Sequence, residues 1–244
     1  MSEDKIGVRQ EVGKERQSMS IDILEIRNQR LSSLFRNFII CETCKRIGRE
    51  QEWEKTGYKC PYCGAESEPI EYLYLNALKL IDLMQELYHS AQEEAPDSKR
   101  RDRRDIQLAV VIFFCSLGEV LLVQFLENLM IKMGLPLEVR KRLLDDNQSV
   151  KQRLEKLFPT LTGVKKWKKA VRTLDRERPE LNYIETVRFY EKVRDVRNKF
   201  VHGGNKWAIP QEMPEQCIRH IWPLVHLFVD LHNKYIALQN EDSK

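Results

Sequence analysis

The run Arg194-Asp195-Val196-Arg197-Asn198-Lys199-Phe200-Val201-His202-Gly203-Gly204 decides how the rest of the chain is read. Ile184, Val187, Tyr190 and Val193 lead into it at helical spacing, and the glycine pair marks a helix C-terminus. At ~100° per residue, Asn198 and His202 stand one above the other, and Arg197 is the next residue round. A permanently charged guanidinium, an amide and a titratable imidazole thus gather at one helix end, where the backbone dipole also favours a protonated imidazole. The set suits chemistry on a phosphodiester, with one group to move a proton and a fixed cation for the charge that develops. Spacing alone reads more simply as a capping His and a surface Arg.

Arg197-Asn198-x-x-x-His202 resembles the RNxxxH form of the R-x4-6-H motif of HEPN-domain proteins. That family of small helical domains includes many metal-independent ribonucleases of toxin–antitoxin, phage-defence and CRISPR systems. The resemblance implies a mainly α fold, an HEPN-like helical bundle whose third main helix ends in the motif. It implies catalytic roles for three residues: His202 as general base or acid, Arg197 as the cation at the phosphorane, and Asn198 as the group that orients phosphate or imidazole. The reaction would be attack of a ribose 2′-hydroxyl on its own phosphate, specific to RNA and needing no catalytic metal. Family ribonucleases obtain a second imidazole by pairing two motifs, so a homodimer is expected, with Arg194 and Asp195 lining the shared cleft. In the family, a Glu or polar residue on an early long helix often lies near the motif arginine. Glu119, in an otherwise apolar stretch, fits that place and is expected to pair with Arg197 or Arg194; an outlet to solvent at the bundle edge is the alternative. Gly204 stands where some HEPN toxins carry a tyrosine modified by a partner nucleotidyltransferase, so that control is not expected, although an antitoxin or other regulatory protein remains an expected kind of partner.

Cys41-Glu42-Thr43-Cys44 and Cys60-Pro61-Tyr62-Cys63 form a C-x2-C-x15-C-x2-C pattern, followed at once by Gly64. Two such pairs converge on one tetrahedral ion, so Cys41, Cys44, Cys60 and Cys63 are the expected ligands of a structural Zn2+. The segment between them, Glu50 to Lys59, is expected to form a small hairpin, giving a small N-terminal zinc ribbon with four cysteine ligands. Four protein ligands close the site, which argues against catalysis at the metal. Lys45, Arg46, Arg49, Trp53, Lys55 and Lys59 are candidates for nucleic-acid contact; a metal that only holds a small module is the plainer reading. Cys115 and Cys217 stand alone in apolar patterns and suit a reducing, cytoplasmic setting. Met1 to Gln17 is charged and lacks an apolar signal core, so secretion is not expected.

The 244 residues, 42% hydrophobic and 32% charged, divide by pattern into four parts. Residues 1–38 form an arm and a helix (Ser20 to Phe38), 39–68 the ribbon, 69–105 a connecting helix and charged linker, and 106–240 the bundle. The linker contains Lys99-Arg100-Arg101-Asp102-Arg103-Arg104. Leu108 to Leu126 is the most apolar stretch, but Ser116, Gly118, Glu119 and Gln124 interrupt it, so a buried bundle helix is expected and no membrane partner. Pro136–Asp145 and Ser149–Phe158 read as shorter helices, Pro159–Gly163 as a loop, and Asn205 to Gln211 as a loop able to close over the site. His220, His226 and His232 are not at ligand spacing for one metal and read as packing or surface histidines.

Net charge is only +4, but ten basic and three acidic residues fall within 148–178, leaving the rest of the chain at −3. Lys165, Lys166, Lys168, Lys169 and Arg172, with Trp167 as a stacking surface, are the candidate RNA contacts. A solvated helix face is the plainer reading of such a run. The leading expectation is an endoribonuclease acting as a toxin or phage-defence effector. The alternative is a non-catalytic dimer whose ribbon binds nucleic acid or protein. No Gly-rich phosphate loop supports a nucleotide-binding domain.

Overall fold

The computed structural model describes residues 38–66, 70–93, 100–203 and 209–237. The expected N-terminal helix, Lys99 and most of the loop after Gly204 lie outside them. Strand β1 (Phe38–Ile40) pairs antiparallel with β2 (Ile47–Arg49) on one side and β3 (Ile70–Glu71) on the other. Phe38 is therefore strand rather than the end of a helix. Between β2 and the second cysteine pair lies a helix, α1 (Glu50–Lys55), where the sequence reading placed a hairpin. The Glu52 carboxylate accepts the Arg49 N–H at 3.0 Å and caps the turn, while Trp53 turns inward and is fully buried. A carboxylate at the third helical position and one inward aromatic per turn are helix signals, and they outweigh any strand alternation here.

The helices that follow are α2 (Leu75–Glu93), α3 (Arg100–Lys132) and α4 (Leu137–Asp146). Three consecutive pieces, Val150–Gln152, a π-helical turn over Arg153–Leu157, and Phe158–Thr162, run on as α5. Then come α6 (Trp167–Glu177), α7 (Tyr183–Gly203) and α8 (Met213–Tyr235). Helix α3 starts at Arg100, so the backbone of 100–105 is helical and not linker. In α5 the expected loop at Pro159 is helix, ended by Gly163 at φ 72°. Proline has no N–H and its ring crowds the carbonyl four residues back; the Phe158 N–H reaching Arg153 O makes the wider turn that accommodates it.

Helices α3 and α8 pack on each other, and each also packs on α2 and α7. Val110, Phe114, Leu117, Leu121 and Phe125 of α3 meet Ile221, Val225 and Phe228 of α8 in one core. Ala77, Leu78, Ile81 and Met84 place α2 in that core too, so it is a member of the bundle rather than a bridge to it. The stretch Gln107–Lys132 is long and apolar enough to cross a membrane, yet its apolar side chains are largely taken up by these neighbours. Phe38, Ile47 and Tyr72 carry the same core into the small sheet. Polar ties fix the junction. Asn233 on α8 accepts the Ile47 N–H at 2.7 Å and donates to the Ile47 carbonyl at 2.8 Å, pairing the free edge of β2 as a strand would. Buried Gln124 donates to the Tyr72 carbonyl at 2.7 Å and accepts the Tyr74 N–H at 3.3 Å.

Candidate functional site

The four paired cysteines converge. Their Sγ atoms all lie within 4.8 Å of one another, with Cys41–Cys63 at 3.8 Å and Cys44–Cys60 at 3.7 Å. A tetrahedron with metal–sulfur bonds of about 2.3 Å has edges of about 3.8 Å, so the cluster has the size a bound ion requires. The distances are far too long for disulfides, and all six cysteines are free. Both knuckles are the same turn: Lys45 N–H donates to Cys41 O and Gly64 N–H to Cys60 O, each at 2.9 Å. The residue after each second cysteine is left-handed, Lys45 at φ 58° and Gly64 at φ 72°. Burial pushes the Cys44 thiol up to about 12 and raises Cys60, whereas at Cys41 burial is outweighed by the backbone N–H groups of Cys44 and Thr43, which bring the thiol down to about 7. The arrangement can hold a metal ion. Trp53 is packed into this cluster rather than presented for stacking, and Lys59 is paired with Glu66 at 3.0 Å.

The helix end is assembled from α3 and α7. Gly118 of α3 is the crossing point: a Cβ there would lie 2.3 Å from Tyr190 Cε2, so only glycine lets α7 come this close. Tyr190, seated in that notch, donates its hydroxyl to the Cys115 carbonyl at 3.2 Å. The crossing brings Arg197 over α3, where its Nη2 donates to Glu119 Oε1. The expected Glu119 partner is thus Arg197, at 2.5 Å, with the two side chains 22% and 37% exposed. Burial would weaken the guanidinium's charge, but Cys115 and Glu119 more than offset it and hold the arginine above its ordinary value. Arg197 Nε is buried without a hydrogen-bond partner among the described residues.

No protein-family model, curated protein or solved structure matches this chain.

His202 lies exposed on the last turn of α7, and Asn198 is partly buried one turn before it. Arg194 is partly buried and Asp195 exposed on the same helix. Val201, beside His202, is 51% exposed. Cys115 is not an activated nucleophile: burial pushes its thiol up to about 11, against the opposing pull of Arg197. Sequence reasoning singled out Arg197, Asn198, His202 and Glu119 as candidates but passed over Gly118 and Tyr190, which set the crossing. The available signal was a glycine midway along an apolar helix, which usually marks a close backbone approach.

Helix α6 runs antiparallel to α7, since Asp175 accepts the Ile184 N–H at 3.1 Å and Lys168 pairs with Glu191 at 3.0 Å. Its basic N-terminal end therefore points toward the motif end of α7. Lys165, Lys166, Lys168, Lys169 and Arg172 are all exposed. Trp167 is not: it is 7% exposed, stacked on Phe228 and edge-on to Phe158. The expectation that it stacks on RNA is corrected, because position 167 falls on the apolar stripe with Ala170, Val171 and Leu174. The three histidines pack as expected, His220 on Phe189, His226 on Phe38 and His232 on Tyr72.

Proposed function

We propose that this chain is a metal-independent endoribonuclease of the HEPN type, working as a homodimer in the cytoplasm as a toxin or phage-defence effector, with a structural Zn2+ on the four cysteines. One observation carries the reading: Arg197 is held across the α3–α7 crossing by Glu119, at the helix end that presents His202 to solvent. In this mechanism His202 moves the proton of the 2′-hydroxyl or of the leaving 5′-oxygen, as its counterpart in the second copy performs the other transfer. Arg197 neutralises the charge that builds on the phosphorane, and Glu119 fixes the guanidinium while leaving part of it reachable. Asn198 orients the phosphate. Val201 offers an apolar contact that a second copy would cover. Lys165, Lys166, Lys168, Lys169 and Arg172 attract the backbone electrostatically.

The alternative, a binding dimer without catalysis, draws on the same Glu119–Arg197 pair read as a purely structural tie. Substrate chemistry separates the two. An RNA strand is expected to be cut, and the same strand carrying 2′-deoxyribose at the cut position is expected to resist, leaving no cyclic-phosphate product by mass spectrometry. Cleavage of the deoxy-substituted site at the same rate would contradict the mechanism.

A further inference from the structure

The outer face of α6 carries a cationic stripe. Lys169, Arg172 and Arg176 follow one stripe opposite the buried Trp167, Ala170, Val171 and Leu174, and Lys165 and Lys166 lead into it. The acids on this helix are committed elsewhere: Asp175 caps the first turn of α7 and Glu177 is bound by Lys234. Lys165, Lys166, Lys169, Arg172 and Arg176 have no acidic partner among the described residues. The first turn of α6 holds no acidic residue, and several lysines crowd the positive end of its dipole. The helix dipole disfavours cations at that end, whereas Arg176 in the last turn sits where the dipole favours it.

The far end of α6 is tied to α8, and α8 in turn touches the cysteine module. Arg178, just past the helix, donates to Asp230 of α8 at 3.3 Å and to Glu180 at 3.2 Å. One turn before Asp230, His226 Nε2 lies 3.5 Å from Arg49 Nη2, at the end of β2. Burial, then Arg49 and Arg178, push His226 down to about 4, so the neutral ring accepts from Arg49 and orients its guanidinium without cancelling its charge. Arg49 is exposed.

We infer that a single RNA strand lies along this outer face of α6, from the Arg197–His202 end of α7 to Arg49, and that the metal-held module is a second anchor for the strand. The inference rests on the ribonuclease reading for its substrate class. The α6 part spans ~15 Å from residue 166 to residue 176 at ~1.5 Å per residue. With ~3.4 Å per stacked nucleotide, that accommodates on the order of 4 nucleotides before Arg49 is reached.

The test is binding of full-length His202→Ala protein to oligouridylates of 4 and 12 nucleotides, read as the slope of log K against log salt. Each lost phosphate contact lowers the slope by ~0.7 for a single strand. K169Q/R172Q/R176Q in that background, shown to be folded, is expected to lower the 12-mer slope by ~2. Arg49→Gln is expected to lower it by a further ~0.7 on the 12-mer and to leave the 4-mer untouched. R142Q, on the opposite charge pair with Asp146, should change neither. An unchanged slope in the triple variant, or an Arg49 effect equal at both lengths, overturns the track. Cleavage by wild type is measured in parallel: slopes as expected without cleavage would sink the nuclease reading and keep the surface, whereas cleavage with unchanged slopes would do the reverse.

Discussion

The cysteine cluster and the end of α7 are both short motifs, yet they are built in opposite ways. The cluster closes within one small module, two copies of one turn bringing four sulfurs to tetrahedral spacing. The α7 end is incomplete by itself. Its arginine is set by Glu119, a residue 78 positions away, through a helix crossing that depends on Gly118. Ligand chemistry fixes a metal site locally, whereas a helix-end site takes its geometry from the tertiary neighbours.

The first way to break that comparison is to remove the metal. Structural zinc contributes ~10–16 kcal/mol in small modules that fold around it. Cys60→Ser, or a chelator, is expected to release bound metal and unfold the ribbon, with a lower melting temperature because Lys45 and Ile47 are tied to α8. Full metal content with an unchanged melt in Cys60→Ser would show that the cysteines only pack.

Next in size is Gly118→Ala, which forces Tyr190 and with it α7 away from α3. Overpacking of this kind costs ~1–3 kcal/mol. Denaturant midpoints are expected to fall accordingly, and RNA cleavage to fall further than stability does, since Arg197 leaves Glu119. Equal stability and activity in the variant would mean that the crossing does not position the site.

The contrast also explains how much was legible in the sequence. The long helices announced themselves by apolar periodicity, and the cysteine spacing announced the four-sulfur cluster, which could hold a metal ion. The Glu119 pairing followed from a lone carboxylate in an apolar helix and from the motif's resemblance. Trp167 was misread because lysines on both sides hid the 167–170–171–174 stripe that buries it. Pro159 was misread because proline normally ends a helix, and a π-turn that absorbs it leaves no local sign. Helix α1 stands in place of a hairpin because one carboxylate, Glu52, caps its first turn, a signal that a six-residue segment carries only once.

A smaller effect sharpens the account of the ribbon–bundle junction. Burial pushes His232 and His226 down to about 4, and His232 Nε2 is engaged with the Lys45 carbonyl at 3.0 Å. The unfolded chain, with histidines near ~6.5, takes up these protons first. Stability is therefore fully present above about pH 6.5 and declines as pH falls toward about 4. Urea midpoints at pH 7.5 and 5 should differ in that direction, and the loss should shrink in a His226→Gln variant. Midpoints that do not move would mean that the folded protein takes up these protons as readily as the unfolded chain does.

The most direct measurement is RNA cleavage in magnesium-free buffer by wild type and His202→Ala, with both proteins shown to be folded and to carry equal metal. Wild type is predicted to cut, and the variant to be at least ~10²-fold slower. Equal cleavage by both, or none by either, would contradict the account.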